Sequence, residues 1–220
     1  MASPAPLFFD LDGTIINPRR GILDSFRCVM TRFDLGRKSD EELALCIGPP
    51  IRQTLIKFLG DAARGEEALA VYRDYYQDIG IFRLDIYSGI ENALRILHEK
   101  GHRLFICTAK PRVYASRIAE HFGFARYFEA IHGPELDGRN EKKAVLMRYM
   151  LDQHGLNPAG ITMIGDREHD IHAAREHGLD SIGVLWGFGT AEELRSAGAG
   201  QLCSAPDSLV AMIPRAATAG

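Results

Sequence analysis

The sequence predicts an α/β fold built on a parallel sheet, with an all-helical segment inserted after the first strand. Three observations carry that prediction. Short apolar runs each end in a polar residue or a glycine, stretches of helical periodicity separate them, and residues 18–84 hold helical patterns without a convincing apolar strand. Runs too apolar for a half-exposed strand suit a sheet covered on both faces. Alternating strands and helices suit right-handed crossovers.

Residues 7–9 (L-F-F) form the first strand and end at Asp10. Residues 28–33, 41–47, 51–58 and 66–76 then read as four helices, punctuated by Gly36, Gly48-Pro49-Pro50 and Gly60. Residues 91–100 place Ala93, Leu94, Ile96 and Leu97 at helical spacing, and Gly101 stops that helix. The next strand, residues 103–107 (R-L-F-I-C), ends at Thr108. Residues 112–122 and 142–154 are helical, the second stopping at Gly155. Residues 161–164 (I-T-M-I) form a strand ending at Gly165-Asp166, residues 169–177 a helix ending at Gly178, and residues 181–186 a strand ending at Gly187. Residues 215–220 read as a frayed tail. The organisation expected is a core from residues 1–17 and 85–220, interrupted by a helical cap over residues 18–84.

Composition narrows the function. The chain has 220 residues, 46% of them hydrophobic and 25% charged, with a net charge of -3. That balance excludes disorder, collagen and coiled coil, and gives no basic footprint for nucleic acid. No run is long and apolar enough for a membrane span, and residues 1–6 lack the basic region of a signal peptide. The four cysteines are scattered without a C-x-x-C pair, so they are expected to be idle thiols in a reducing cytoplasm.

Ligands of an open parallel sheet bind at the carboxyl ends of its strands. Here those ends carry Asp10 and Asp12, then Thr108, then Asp166 and Asp170. One acidic residue after a strand is commonly a turn or cap residue, but repetition after separate strands points to chemistry. Positions i and i+2 of a strand face the same way, so Asp10 and Asp12 are expected to share one cleft. Carboxylates so close cannot both stay ionised cheaply. A hard dication such as Mg²⁺ resolves the conflict, because it takes oxygen ligands.

F-F-D-L-D-G-T at residues 8–14 resembles the first motif of the haloacid dehalogenase-like hydrolases. I-C-T at residues 106–108 resembles the second motif, a lysine opening the helix at residues 142–154 the third, and G-D-R-E-H-D at residues 165–170 the fourth. The resemblance implies a Rossmann-like parallel sheet with a small helical cap, and it covers nearly the whole chain. T-A-K-P at residues 108–111 and G-V-L-W-G-F-G at residues 183–189 look most like the phosphoglycolate phosphatase-like branch, which includes 5′-nucleotidases. It implies Asp10 as nucleophile and Asp12 as general acid and base, with a pKa above that of an ordinary aspartate. It further implies Mg²⁺ on the Asp10 and Asp166 side chains and the Asp12 backbone carbonyl, with Asp170 and Thr14 supporting them. Thr108, Ala109, Lys110 and Gly13 would meet the phosphoryl group, and Arg52 in the cap the other end of the substrate. Counting back from Gly165-Asp166 favours Lys143 over Lys142 as the active-site lysine. The partner implied is a small-molecule phosphate ester, phosphoglycolate or a nucleoside monophosphate, in the cytoplasm.

Rival readings share the fold. A sugar phosphomutase would use the same Asp10 and Asp12, and a pyrophosphatase would differ only in substrate. A non-catalytic module would have no use for clustered carboxylates. H-E-K-G-H at residues 98–102 matches a zinc-protease pattern, but Gly101 is expected to end the helix before His102. His169, His172 and Arg167 fall near Asp166 and fit a wet helix face as well as a ligand role. The Tyr72, Tyr75 and Tyr76 cluster fits a packed helix.

Overall fold

The computed structural model describes residues 4–44, 46–47 and 51–213. The loop expected at Gly48-Pro49-Pro50 and the tail expected at 215–220 lie outside them. The chain runs β1 (Leu7–Phe9), β2 (Ile16–Asn17), α1 (Arg19–Arg32), α2 (Asp40–Ala44), α3 (Ile51–Leu59), α4 (Ala62–Asp78) and a 3-10 turn (Gly80–Phe82). It continues through β3 (Asp85–Ile86), α5 (Ile90–Glu99), β4 (Leu104–Cys107), α6 (Arg112–His121), β5 (Ala130–His132) and α7 (Lys143–Gln153). It closes with β6 (Thr162–Gly165), α8 (Glu168–Glu176), β7 (Asp180–Val184), α9 (Ala191–Ala197), β8 (Gln201–Cys203) and α10 (Pro206–Met212). Two compact units result: Met1–Asn17 with Ile86–Gly220, and Pro18–Asp85.

In the first unit a six-stranded sheet has the order β5-β4-β1-β6-β7-β8, with every registered pair parallel. β1 is central, and all three of its residues are buried, because a parallel strand covered on both faces has no wet side. Phe8 meets Phe105 edge to face at 5.5 Å. Leu146, Met147, Met150, Ile161 and Met163 close the core on that side. Each such side chain contributes about 1.5–3 kcal/mol by leaving water. The chain leaves β4 toward β5 and then crosses β1 to reach β6. That reversal of strand order beside β1 is the place where open α/β sheets form their binding crevice.

The second unit is helical. Phe26 packs on Tyr72 with ring centroids 5.2 Å apart, and Tyr72 stacks on Tyr76. Gly65 lies inside α4 despite its helix cost, because a Cβ there would strike Ile56 of α3. The Asp61 side chain caps α4 by accepting from the Arg64 amide at 2.8 Å. Among the described residues no helix is long and apolar enough to cross a membrane.

Some boundaries differ from expectation. α1 begins at Arg19 rather than at residue 28. β7 ends at Val184, so Leu185 and Trp186 leave the strand. β5, β8, α9 and α10 were not foreseen: each is short, and the two strands carry no fully apolar run.

Candidate active site

Register places the reactive groups side by side. Phe9 pairs with Ile106 on one flank and with Ile164 on the other, so Asp10, Thr108 and Asp166 emerge at one edge of the sheet. The Asp10 amide donates to the Ile164 carbonyl at 2.8 Å and anchors the first of them. Crossover helices begin at this same edge. Lys143 is the first residue of α7, and Asp170 lies in the first turn of α8.

Asp12 does not share the cleft by strand alternation. β1 stops at Phe9, and Asp12 sits in a turn where it bridges to Ile16. Gly13 makes that turn with φ of 86°, a conformation L side chains seldom adopt. A Cβ on Gly13 would also strike the Asp166 carboxylate. The turn, rather than the pleat, aims Asp12.

The two carboxylates have different lysines. Lys143 Nζ lies 2.9 Å from Asp10 Oδ1 and also donates to Asp170 Oδ1, with only 7% of its side chain exposed. Burial disfavours its ammonium, but Asp10 and Asp170 outweigh burial and hold its pKa above the ordinary lysine value. Lys142 is exposed. Lys110 Nζ donates to Asp12 Oδ2 at 2.6 Å, and its own side chain is 5% exposed. The Lys110 amide donates to Thr108 Oγ1 at 3.2 Å, which ties this lysine to the end of β4. Burial raises the Asp12 pKa above the ordinary aspartate value, the Lys110 charge opposing it and the Asp10 charge reinforcing it. Asp166 and Asp170 are raised as well, chiefly by burial. Cys107 is no competing nucleophile, since burial pushes its thiol up to about 12.

Asp10, Asp166 and Asp170 each bring a carboxylate oxygen within 4.8 Å of the others, and all three are buried. Such a set could hold a hard cation. Asp166 Oδ1 is buried with no hydrogen-bond partner, while its Oδ2 accepts from the Phe188 amide at 2.7 Å. The orphaned oxygen suits a ligand to a cation, because a buried polar atom without a partner is costly. Asp170 differs: its Oδ1 is taken by Lys143 and its Oδ2 by the Arg167 amide at 3.0 Å. Cβ atoms on Gly165 and Gly187 would collide with Asp170 and Asp166, so the backbone closes tightly around both acids.

Thr108 is buried and Ala109 exposed at the same edge. Thr14 is fully buried, and its carbonyl accepts from Trp186 Nε1 at 2.9 Å. Arg52 belongs to the other unit, where it pairs with Glu66. His169 and His172 are exposed, and Arg167 is held by Glu193 at 2.8 Å. α5 ends at Glu99, and the two histidines of H-E-K-G-H face different backbone carbonyls, His98 that of Tyr127 and His102 that of Ala5. Sequence reasoning missed Tyr87 and the Phe188 amide. Burial, then the charges of Asp166 and Asp12, push the Tyr87 hydroxyl up to about 12. No local pattern marks a tyrosine that reaches the site from a distant loop.

The family model described as haloacid dehalogenase-like hydrolase matches residues 7–184. A 5′-nucleotidase of Pseudomonas aeruginosa is 41% identical over 191 residues, covering 86% of this chain and 86% of that protein. Tyrosine-protein kinase PtkA of Mycobacterium tuberculosis is 35% identical over 86% of this chain, which spans 65% of the kinase. Among solved structures, a haloacid dehalogenase-like hydrolase of Streptococcus pneumoniae superposes with a TM-score of 0.87 at 27% identity, covering 97% of this chain and 100% of that one.

Proposed function

The chain belongs to the haloacid dehalogenase-like hydrolase family and is a phosphatase, and on that premise we propose that it hydrolyses a nucleoside monophosphate through an aspartyl-phosphate on Asp10. The observation that carries the mechanism is the separate pairing of the two carboxylates. Asp10 is held beside Lys143, and Asp12, whose pKa is raised by burial, sits 2.6 Å from Lys110. Neighbouring acids kept in different environments can serve as nucleophile and acid in one reaction.

An Asp10 carboxylate oxygen attacks phosphorus, forming the acyl phosphate as the bond to the ester oxygen breaks. Asp12 gives its proton to that departing oxygen. A water then attacks phosphorus, Asp12 takes the proton back, and Asp10 leaves as carboxylate with inorganic phosphate released. Lys143 offsets charge on the transferred group, and Thr108 with the amides beside it orients the phosphoryl oxygens. Asp10, Asp166 and the Asp12 carbonyl would hold Mg²⁺, with Asp170 positioning Lys143. When bound, the ion supplies positive charge against the nucleophile and the phosphoryl oxygens.

The choice of a nucleoside monophosphate rests on the likeness to the Pseudomonas 5′-nucleotidase. Phosphate release with Mg²⁺ should be measured over nucleoside monophosphates, phosphoglycolate and pyrophosphate. Faster turnover of either of the last two would remove the substrate class and leave the phosphatase chemistry standing. Asp10→Asn should abolish release from every substrate, and full activity in that variant would sink the nucleophile assignment.

A further inference from the structure

The second unit has an open surface hollow of about 540 Å³ with no part in the chemistry above. Asp24, Arg27, Cys28 and Arg32 enter it from one face of α1, Tyr75 from α4, and Arg83 from the segment after the 3-10 turn.

The charges lining it do not balance. Asp24 accepts from Arg27 Nη1 at 2.6 Å and pairs with Arg83 Nε at 2.6 Å. Arg27 also reaches Asp40. The exposed Arg32 side chain has no ion pair or hydrogen bond among the described residues. Two arginines therefore lean on one lining carboxylate, a third has none, and every guanidinium keeps donors that a single carboxylate cannot use. The fork of a guanidinium matches phosphate oxygens two at a time. The Tyr75 ring and the Cys28 side chain supply a less polar wall for whatever bears the phosphate.

We propose that the open hollow lined by α1, the end of α4 and Arg83 is a second binding site, for a small phosphate-bearing anion. It engages Arg32 and the free edges of Arg27 and Arg83, and it lies against Cys28.

Cys28 provides the readout, because it is partly exposed while Cys46, Cys107 and Cys203 are buried. Iodoacetamide alkylation of Cys28 is followed by peptide mass spectrometry, in magnesium-free buffer, with inorganic pyrophosphate or chloride at matched ionic strength. Pyrophosphate should slow alkylation of the wild type by about fivefold or more relative to chloride. Arg32→Ala should raise the pyrophosphate concentration needed by about tenfold, the loss expected for a charged hydrogen-bonding pair. Arg32→Lys should recover part of it. Asp10→Asn should leave protection intact, which separates this site from the catalytic one and makes the result independent of the proposed reaction. Equal rates in pyrophosphate and chloride would overturn the proposal. So would full protection in Arg32→Ala, or protection lost in Asp10→Asn.

Discussion

Asp10 and Asp12 are two residues apart, and their partners come from opposite directions in the chain. Lys143 reaches Asp10 from the start of α7, and Lys110 reaches Asp12 from the loop after β4. Asp12 must carry a proton when the ester bond breaks, so kcat/KM should fall as pH rises through its pKa. Lys110 lowers that pKa against the effect of burial. Lys110→Met should therefore move the alkaline limb of the kcat/KM profile to higher pH, and an unmoved limb would remove Asp12 as the titrating acid. Lys143→Ala should lower kcat by about a hundredfold or more, as loss of a preorganised charge at the phosphoryl group does. Lys142→Ala should stay within about twofold, because an exposed lysine beyond reach of the acids contributes little. Steady-state rates on an aryl phosphate compare the two. The lysine doublet leaves a choice of one residue in sequence; in the structure α7 begins at Lys143, whose side chain is buried among carboxylates, while Lys142 precedes the helix and is exposed.

At the scale of elements, strands with fully apolar runs were legible and edge strands were not. β1, β4 and β6 are buried along their whole length, so their composition declares them. β5 is an edge strand of half-buried residues, Ala130–His132, and β8 at the other edge begins with an exposed glutamine. An edge strand keeps one side wet and needs no apolar run, which leaves no signal in the sequence. Helix ends were legible where a glycine stops them, as at Gly101 and Gly178, both with positive φ. The cap of α4 is a local feature with a measurable weight. Asp61→Ala should lower stability by about 1 kcal/mol, read as a reduced urea midpoint with an unchanged slope. Gly13→Ala should cost more, since the new methyl meets Asp166 and the turn requires positive φ. It should also weaken Mg²⁺ binding, measured by calorimetry on the folded variant.

For the whole molecule, every group assigned to the phosphoryl chemistry belongs to the unit formed by Met1–Asn17 and Ile86–Gly220. The acids come from two separated stretches of chain, and the pairing of β1 with β6, with the first turn of α8, brings them within 4.8 Å. Three buried carboxylates with one lysine between them leave a negative excess that a divalent cation relieves. Chelation with EDTA should therefore silence phosphate release and lower the thermal midpoint, and added Mg²⁺ should restore both. Undiminished turnover after exhaustive chelation would remove the metal from the reaction.

The sequence by itself determined the α/β class, the inserted helical segment and the family. These follow from local signals: apolar runs for doubly covered strands, helical periodicity, and acidic residues repeated where strands end. The tertiary structure decided which groups meet. It gave Asp12 to Lys110, placed Asp12 by a turn instead of a pleat, brought Tyr87 and the Phe188 amide to the acids, and joined three arginines around an open hollow in the second unit. Those pairings depend on register, helix phase and turn geometry, which fix distances between residues far apart in the chain and leave little trace in any short stretch of it.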